Sequence, residues 1–393
     1  MGGCIMTNAM INFTSDTHCI NKDINVVVGC GLSGIVIANK IATELNEPVV
    51  IIDKKDHIGG TCYDYVDKDT GIHVHKYGPH IFRTGSTEVW DYLSKYTKWY
   101  PYMHRVLGVI DGIEVPIPFN LDSLHRALPV TLADKLEEKL VAKFGFNKKV
   151  PILELRKTDD KDLNFLADYI YEKVFLHYTL KQWGLSPEQL DPSVTGSVPV
   201  FIGRDSRYFQ ERFQGIPLDG YTTMFERMLS HPNISVMLNT DFQNLRGNIS
   251  YKRLFYTGPI EEYFDYKFGK LPYRSLDIRI ETFNEPHFQN AAVVNYPENY
   301  DFTRITENKW FLNEKSDKTV LTFEYPMDFE NGKNERIYPI LNATNQAIYD
   351  RYFEEAKKLP NVYFLGRLGA YRYYDMNRTI QGAFETFNQI TGK

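Results

Sequence analysis

A short β-branched run, INVVV at residues 24 to 28, leads directly into GCGLSG at 29 to 34 and then into IVIANKIATEL, whose apolar residues recur at helical spacing. A second apolar run, PVVIID, ends at Asp53, nineteen positions after Gly34. Strand, tight turn, helix and strand in that order form one unit of a parallel sheet, which makes the fold class α/β. Gly29, Gly31 and Gly34 permit a sharp turn, close approach of the backbone to a pyrophosphate, and close packing of the helix on the sheet. Ser33 lies in the first helical turn, whose free N–H groups and positive dipole end suit phosphate. Asp53 is placed to accept hydrogen bonds from a ribose diol, so the whole unit predicts a dinucleotide site.

NAD and FAD share that fingerprint. Gly59 and Gly60 follow the second strand closely, where backbone must approach the diphosphate of an extended FAD, and they favour FAD. Composition narrows the remaining classes. A formal charge of −5 argues against a nucleic-acid-binding face. Four cysteines, at 4, 19, 30 and 62, have no spacing that fits a metal site or disulfide framework, so no metal and a reducing compartment are expected. No apolar run reaches membrane-spanning length and the first twenty residues lack a secretion signal, which predicts a cytoplasmic protein with a disordered leader over 1–23. Helical spacing over 121 to 145 and 160 to 183 marks a helical insertion, and alternating runs over about 273 to 325 mark antiparallel strands.

Ten strings occur in order along the chain: HIGG at 57, HKYGPHIF at 75, YTLKQWG at 178, RYF at 207, FQGIPLDGYT at 213, YTGPIEEYFDY at 256, YRSL at 273, TRITE at 303, EYP at 324 and GRLGAYRYYDM at 366. Together they resemble the UDP-galactopyranose mutase family over nearly the whole chain beyond residue 23. The resemblance implies a discontinuous FAD-binding Rossmann-like domain (24–102, 216–259 and 342–393), a helical domain (119–185) and a six-stranded antiparallel sheet domain (103–118, 186–215 and 260–341). It implies interconversion of pyranose and furanose forms of a nucleotide-diphosphate sugar, without net redox change, through an adduct at N5 of reduced FAD. An external electron donor such as NAD(P)H or dithionite would keep the flavin reduced, and a homodimer is compatible with the family.

Carried over by motif, Arg304 and Arg274 would face the diphosphate, with Arg304 the more important. Tyr178 and Trp183 resemble base-stacking and sugar-pocket aromatics, and Tyr208, Tyr338 and Tyr373 resemble phosphate-binding tyrosines. Glu324 would border the sugar, His80 would lie near the flavin ring, and Arg367, Asp375 and Met376 would hold the cofactor. Arg304, His80, Tyr338 and Tyr373 form the expected catalytic set.

Departures from the family pattern bear on specificity. Ser197 and Phe201 stand where two arginines are expected, so a neutral donor replaces a charged fork on the diphosphate. Arg83, Arg204 and Arg207 are the available substitutes. Before Tyr178 the string Val174-Phe175-Leu176-His177 replaces a more aromatic one, and His104 stands where Asn is common. Extra room at Val174 and new ring nitrogens at His177 point to a purine, hence a GDP-sugar such as GDP-fucose, with UDP-galactose as the alternative. A flavin oxidoreductase of the amine-oxidase-like group and a non-catalytic nucleotide-sugar binder are the rival classes.

Overall fold

The structure is a computed structural model that describes residues 22–196 and 198–392; the expected leader falls almost wholly outside these residues, and so does Ser197. Five parallel strands form one sheet in the order Ile234–Met237, Val49–Ile52, Asn25–Val28, Arg253–Tyr256, Val362–Phe364. The Val- and Ile-rich sequences of Asn25–Val28 and Val49–Ile52 follow from burial on both faces. Val27, Val49, Ile51 and Phe255 point into a core shared with helices Leu32–Lys40, Gly220–Leu229 and Met376–Thr391. The alternate residues Val26, Val50, Ile52 and Leu254 face a second cluster with Phe242 and Tyr263. Among the described residues no helix is long and apolar enough to cross a membrane.

The second large sheet has seven strands, in the order Tyr338–Pro339, Tyr273–Phe283, Thr319–Asp328, Arg304–Glu307, Val293–Asn295, Val106–Ile110, Ile113–Ile117. Val293–Asn295 runs parallel to Val106–Ile110, and every other adjacent pair is antiparallel. The α/β class stands, while the expected six-stranded antiparallel sheet is corrected to a seven-stranded mixed one. The reason lies in the hairpin over 106–117, which no short turn ties to its neighbour and whose direction is therefore free. It docks so that Val106, Ile110, Val115 and Ile117 enter the core of the helical segment with Leu136, Leu140 and Leu166.

Within that helical segment, Asn120 caps Leu121–Ala127 by accepting from Ser123 N at 3.0 Å, and Asp160 caps Lys161–Ile170. A wide π-helical turn, Tyr171–Leu176, then continues into His177–Trp183, which stops at Gly184 in a left-handed conformation (φ 68°). Residues 186–215, expected in the sheet domain, add no strand to the large sheet. Val200–Ile202 pairs instead with Lys148–Val150 of the helical segment.

Glu261, 1% exposed, links the two sheets by accepting from the Tyr273 hydroxyl at 3.0 Å. Burial pushes its carboxyl up to about 7, against its backbone hydrogen bond and the nearby Arg336. Between its unfolded pKa of 4.5 and this value, the folded state keeps a proton that the unfolded chain has lost. The linked stability is therefore present below pH 4.5 and is lost as pH rises towards 7, by roughly 3 kcal/mol at most. Glu261→Gln should remove that component, so the stability difference between variant and wild type, read by urea unfolding at pH 5 and pH 7.5, should shift in the variant's favour at the higher pH. An unchanged difference would show that Glu261 does not titrate in this window.

Candidate functional site

Two cavities meet in the cleft between the sheets. The first, of about 620 Å³, starts at the glycine turn and is lined by Gly29, Gly31, Ser33, Asp53, Gly60, Gly366 and Arg367. Backbone closeness shapes it: a Cβ on Gly34 would lie 1.9 Å from Gly29 O, and one on Gly60 would lie 2.9 Å from Gly31 Cα. Gly59 donates its N–H to Cys30 O at 2.8 Å, locking the second glycine turn against the first. Helix Leu32–Lys40 has no side-chain cap at its N-terminus, which leaves first-turn amides for a ligand. Asp53 Oδ2 accepts from Cys30 N at 2.6 Å and Oδ1 from Lys55 N at 2.9 Å, so the carboxylate at the cavity wall is held by the turn itself.

The second cavity, of about 350 Å³, shares Thr61, His80, Ile337, Arg367 and Met376 with the first. His80 is thus at the junction. Its Nδ1 lies 2.9 Å from Gly78 O, an acceptor only, which assigns the proton to Nδ1 and leaves Nε2 a lone pair. Burial, with His75 beside it, pushes His80 down to about 3, so the ring is neutral at pH 7. The His80 N–H donates to Nδ1 of His75, which is stacked on Phe311 at 4.8 Å.

Beyond His80 the cavity is cationic and phenolic. Arg83, Arg304 and Arg367 line it together with Tyr178, Tyr208, Tyr338 and Tyr373. Trp183, Tyr338 and Tyr373 form a triangle of rings with centroids 5.6–5.8 Å apart. Arg304 and Glu324 face each other across paired strands, Nε to Oε1 at 2.7 Å. Arg367 donates to Ile337 O and Tyr374 O and sits 5.5 Å from the Tyr338 ring centre. Burial raises the phenols of Tyr178, Tyr208 and Tyr338, which keeps them protonated donors. His104 packs against the Tyr208 and Phe209 rings, and burial pushes it down to about 3.

Several expected site residues stand elsewhere. Arg274 does not line the cavity: Nε donates to Gln182 O and Nη2 to Lys181 O, both at 2.9 Å, while Nη1 pairs with Asp328, so it caps the helix that bears Tyr178 and Trp183. Glu324 is wholly buried behind Arg304 and against Gly78, with no hydrogen-bond donor of its own among the described residues. His177 is off the wall, because Val174, Phe175, Tyr178, Thr179, Gln182 and Trp183 are the lining positions. These positions recur as adjacent pairs every four residues, 174/175, 178/179 and 182/183, a helical face that excludes His177. Phe201 is buried in its ribbon, 7% exposed, and packs away from the cavity. Asp375 caps the last helix through Arg378 N and lines the second cavity rather than the cofactor-sized one. Of the three candidate arginines only Arg83 reaches the wall; Arg204 pairs with Asp122 and Glu137, and Arg207 with Asp205.

Sequence reasoning missed Asn295 and Gln182, which line the cavity with buried side-chain oxygens lacking a partner among the described residues. Gln182 stands inside the KQW string that was singled out, so its position in the motif was the available signal.

Comparison with known proteins places this cleft in context. A family model described as UDP-galactopyranose mutase matches residues 173–373, and one described as an NAD(P)-binding Rossmann-like domain matches 27–96. The Klebsiella pneumoniae protein named "Probable UDP-galactopyranose mutase" is 37% identical over 94% of this chain and 95% of its own length. The Escherichia coli dTDP-fucopyranose mutase is 35% identical over 92% of this chain and 96% of its own. The crystal structure of a reduced UDP-galactopyranose mutase shares the fold at a TM-score of 0.72, with 15% identity, covering 95% of this chain and 94% of that one. With identity of this level sustained along almost the full sequence and a family model spanning the phenol- and arginine-lined cavity, the chain belongs to the UDP-galactopyranose mutase family.

Proposed function

We propose that this protein is a cytosolic FAD-dependent mutase that interconverts the pyranose and furanose forms of a nucleoside diphosphate sugar. The observation that carries this reading is the junction at His80, where the glycine-walled cavity opens into one lined by three arginines and six tyrosines. The cradle fits FAD: the close Gly29–Gly34 and Gly31–Gly60 approaches leave backbone, not side chains, to meet a diphosphate. When bound and reduced, FAD supplies the nucleophile that ring opening and reclosure need.

The chain's own residues then bind and orient. Arg304, with its guanidinium oriented by Glu324, faces the departing diphosphate, and Arg83 and Arg367 add positive charge to the same wall. The Tyr208, Tyr338 and Tyr373 hydroxyls donate hydrogen bonds to phosphate oxygens, Tyr178 stacks on the base and Trp183 closes the sugar pocket. His80, neutral and with its free lone pair on Nε2, accepts a hydrogen bond at the cavity junction and adds no competing charge there. Arg83, held by Glu211 and by Asp375 at 3.1 Å with its guanidinium 4.2 Å from the Phe209 ring centre, is our candidate for the charge that Ser197 does not supply.

For the base, we propose a pyrimidine. The purine reading drew on Val174 and His177 together, and only Val174 faces the cavity, so the added hydrogen-bonding ring is not part of the wall. The space left at Val174 favours GDP-fucose as the second reading.

Gly34→Ala should purify without flavin absorbance, because its methyl group would occupy the place of Gly29 O; a variant with full flavin content removes the cradle argument. For the reaction, the dithionite-reduced holoprotein is to be incubated with UDP-galactose, dTDP-fucose and GDP-fucose and the products resolved by chromatography. A furanose product from a pyrimidine substrate is the expected result, and a furanose from GDP-fucose alone would establish the second reading. Peroxide release with an oxidised product would mark an oxidoreductase, and tight binding without any product a binder. Arg304→Ala should lower kcat/KM by about 10² to 10³, and near-normal turnover would remove Arg304 from its role.

A further inference from the structure

The helix that carries Tyr178 and Trp183 is tied to the opposite wall by one ammonium group. Lys181 Nζ donates to four backbone carbonyls of a single loop: Tyr296 O at 2.6 Å, Glu298 O at 3.0 Å, Tyr300 O at 3.0 Å and Phe302 O at 3.1 Å. An ammonium has three N–H donors, so four oxygens at these distances share them around one positive charge, much as carbonyl rings hold monovalent cations. The loop is shaped for this. Its alternate carbonyls converge on Nζ while the rings of Tyr296, Tyr300 and Phe302 pack on one another at 4.9–5.6 Å. Four partially negative oxygens aimed at one point repel one another unless a cation sits among them.

Both ends of the tie belong to the substrate cavity. On the helix side, Tyr178, Thr179, Gln182 and Trp183 line it, and on the loop side Asn295, Pro297 and Arg304 do. Thr303, between loop and Arg304, bonds its N–H to Glu324 O at 2.9 Å, so loop position is passed directly to the Arg304–Glu324 pair. Lys173, two turns earlier on the same helical rod, adds a second link through Glu298 Oε1 at 2.8 Å. Arg274 fixes the carbonyl ends of Lys181 and Gln182 and completes the support of the helix. Burial lowers the Lys181 pKa to about 8, against the charge of Asp301, and at pH 7 the group is still an ammonium.

We propose that Lys181 is a positioning residue whose ammonium, caged by the four loop carbonyls, sets the distance between the base-stacking helix and the diphosphate-facing arginine. It lines neither of the two cavities. The inference rests on the mutase reading for its substrate, although the coupling itself does not.

The test uses Lys181→Met and Lys181→Ala holoproteins, with Lys181→Gln, which keeps an uncharged donor, in place of Met if the latter is insoluble. The dissociation constant for UDP, or for whichever nucleoside diphosphate the wild type binds, should rise at least about tenfold, a loss of roughly 1.4 kcal/mol. Flavin content and flavin absorbance should stay at wild-type values, because no residue of the helix or loop lines the cofactor cavity. Propylammonium, which replaces the atoms removed in Lys181→Ala, should recover binding, whereas propan-1-ol should not. Affinity within twofold of wild type in a folded variant overturns the proposal. So does equal recovery with the alcohol, which would make the charge irrelevant, and so does parallel loss of flavin, which would signify general destabilisation. If the wild type binds no nucleoside diphosphate, the mutase reading fails, and amide hydrogen exchange decides the coupling by itself. Faster exchange in both 177–183 and 296–302 of Lys181→Met supports it, and unchanged exchange in either segment overturns it.

Discussion

Two backbone approaches set the frame for everything else in this molecule. A Cβ on Gly34 would strike Gly29 O, and one on Gly60 would lie 2.9 Å from Gly31 Cα, so neither position accepts a side chain. Helix Leu32–Lys40 can therefore lean onto the parallel sheet and aim its uncapped amides into the cavity. The location of that helix end fixes one wall of the cleft, and Gly366 fixes the facing one: a Cβ there would lie 2.9 Å from Ser33 Oγ. His80, Arg367 and Met376 then fall at the mouth where the second cavity begins.

The second cavity is organised by charge held from behind. Glu324 is buried, reaches the cleft only through Arg304, and with no other donor is committed to orienting that guanidinium. Burying such a pair costs solvation of both ions, and what it secures is orientation rather than stability. The same pattern recurs with Arg274 and Lys181, whose charges are spent on backbone carbonyls away from the ligand. Burial also keeps His80 and His104 neutral and the tyrosines protonated. The arginines are therefore the lasting positive charges of the wall.

What was legible in the sequence was local. The glycine turn, the strand before it and Asp53 could be read because each depends on neighbours within about thirty residues, and the short Val-rich strands Asn25–Val28 and Val49–Ile52 follow from two-faced burial. Arg304 and the tyrosines could be placed through ordered motifs. His177 falls outside the face formed by 174/175, 178/179 and 182/183, and closeness to Tyr178 in the motif does not tell which face of the helix borders the cavity. Arg274 and Phe201 were misread for another reason: residue type tells what a side chain is able to contact, while the partner comes from distant chain. Lys181 was overlooked on the same ground, since its carbonyls lie more than a hundred residues away.

The strand order of the parallel sheet has a consequence for how the protein is made. Its central strand, Asn25–Val28, is synthesised more than three hundred residues before the edge strand Val362–Phe364 and the adjoining Gly366 and Arg367. The cofactor cradle therefore stays open on the ribosome until those residues emerge, with the Arg253–Tyr256 edge of the sheet awaiting its last partner. Cofactor capture must follow synthesis of Gly366 and Arg367, and a nascent chain arrested within the seven-stranded sheet would expose that edge to chaperones and aggregation alike.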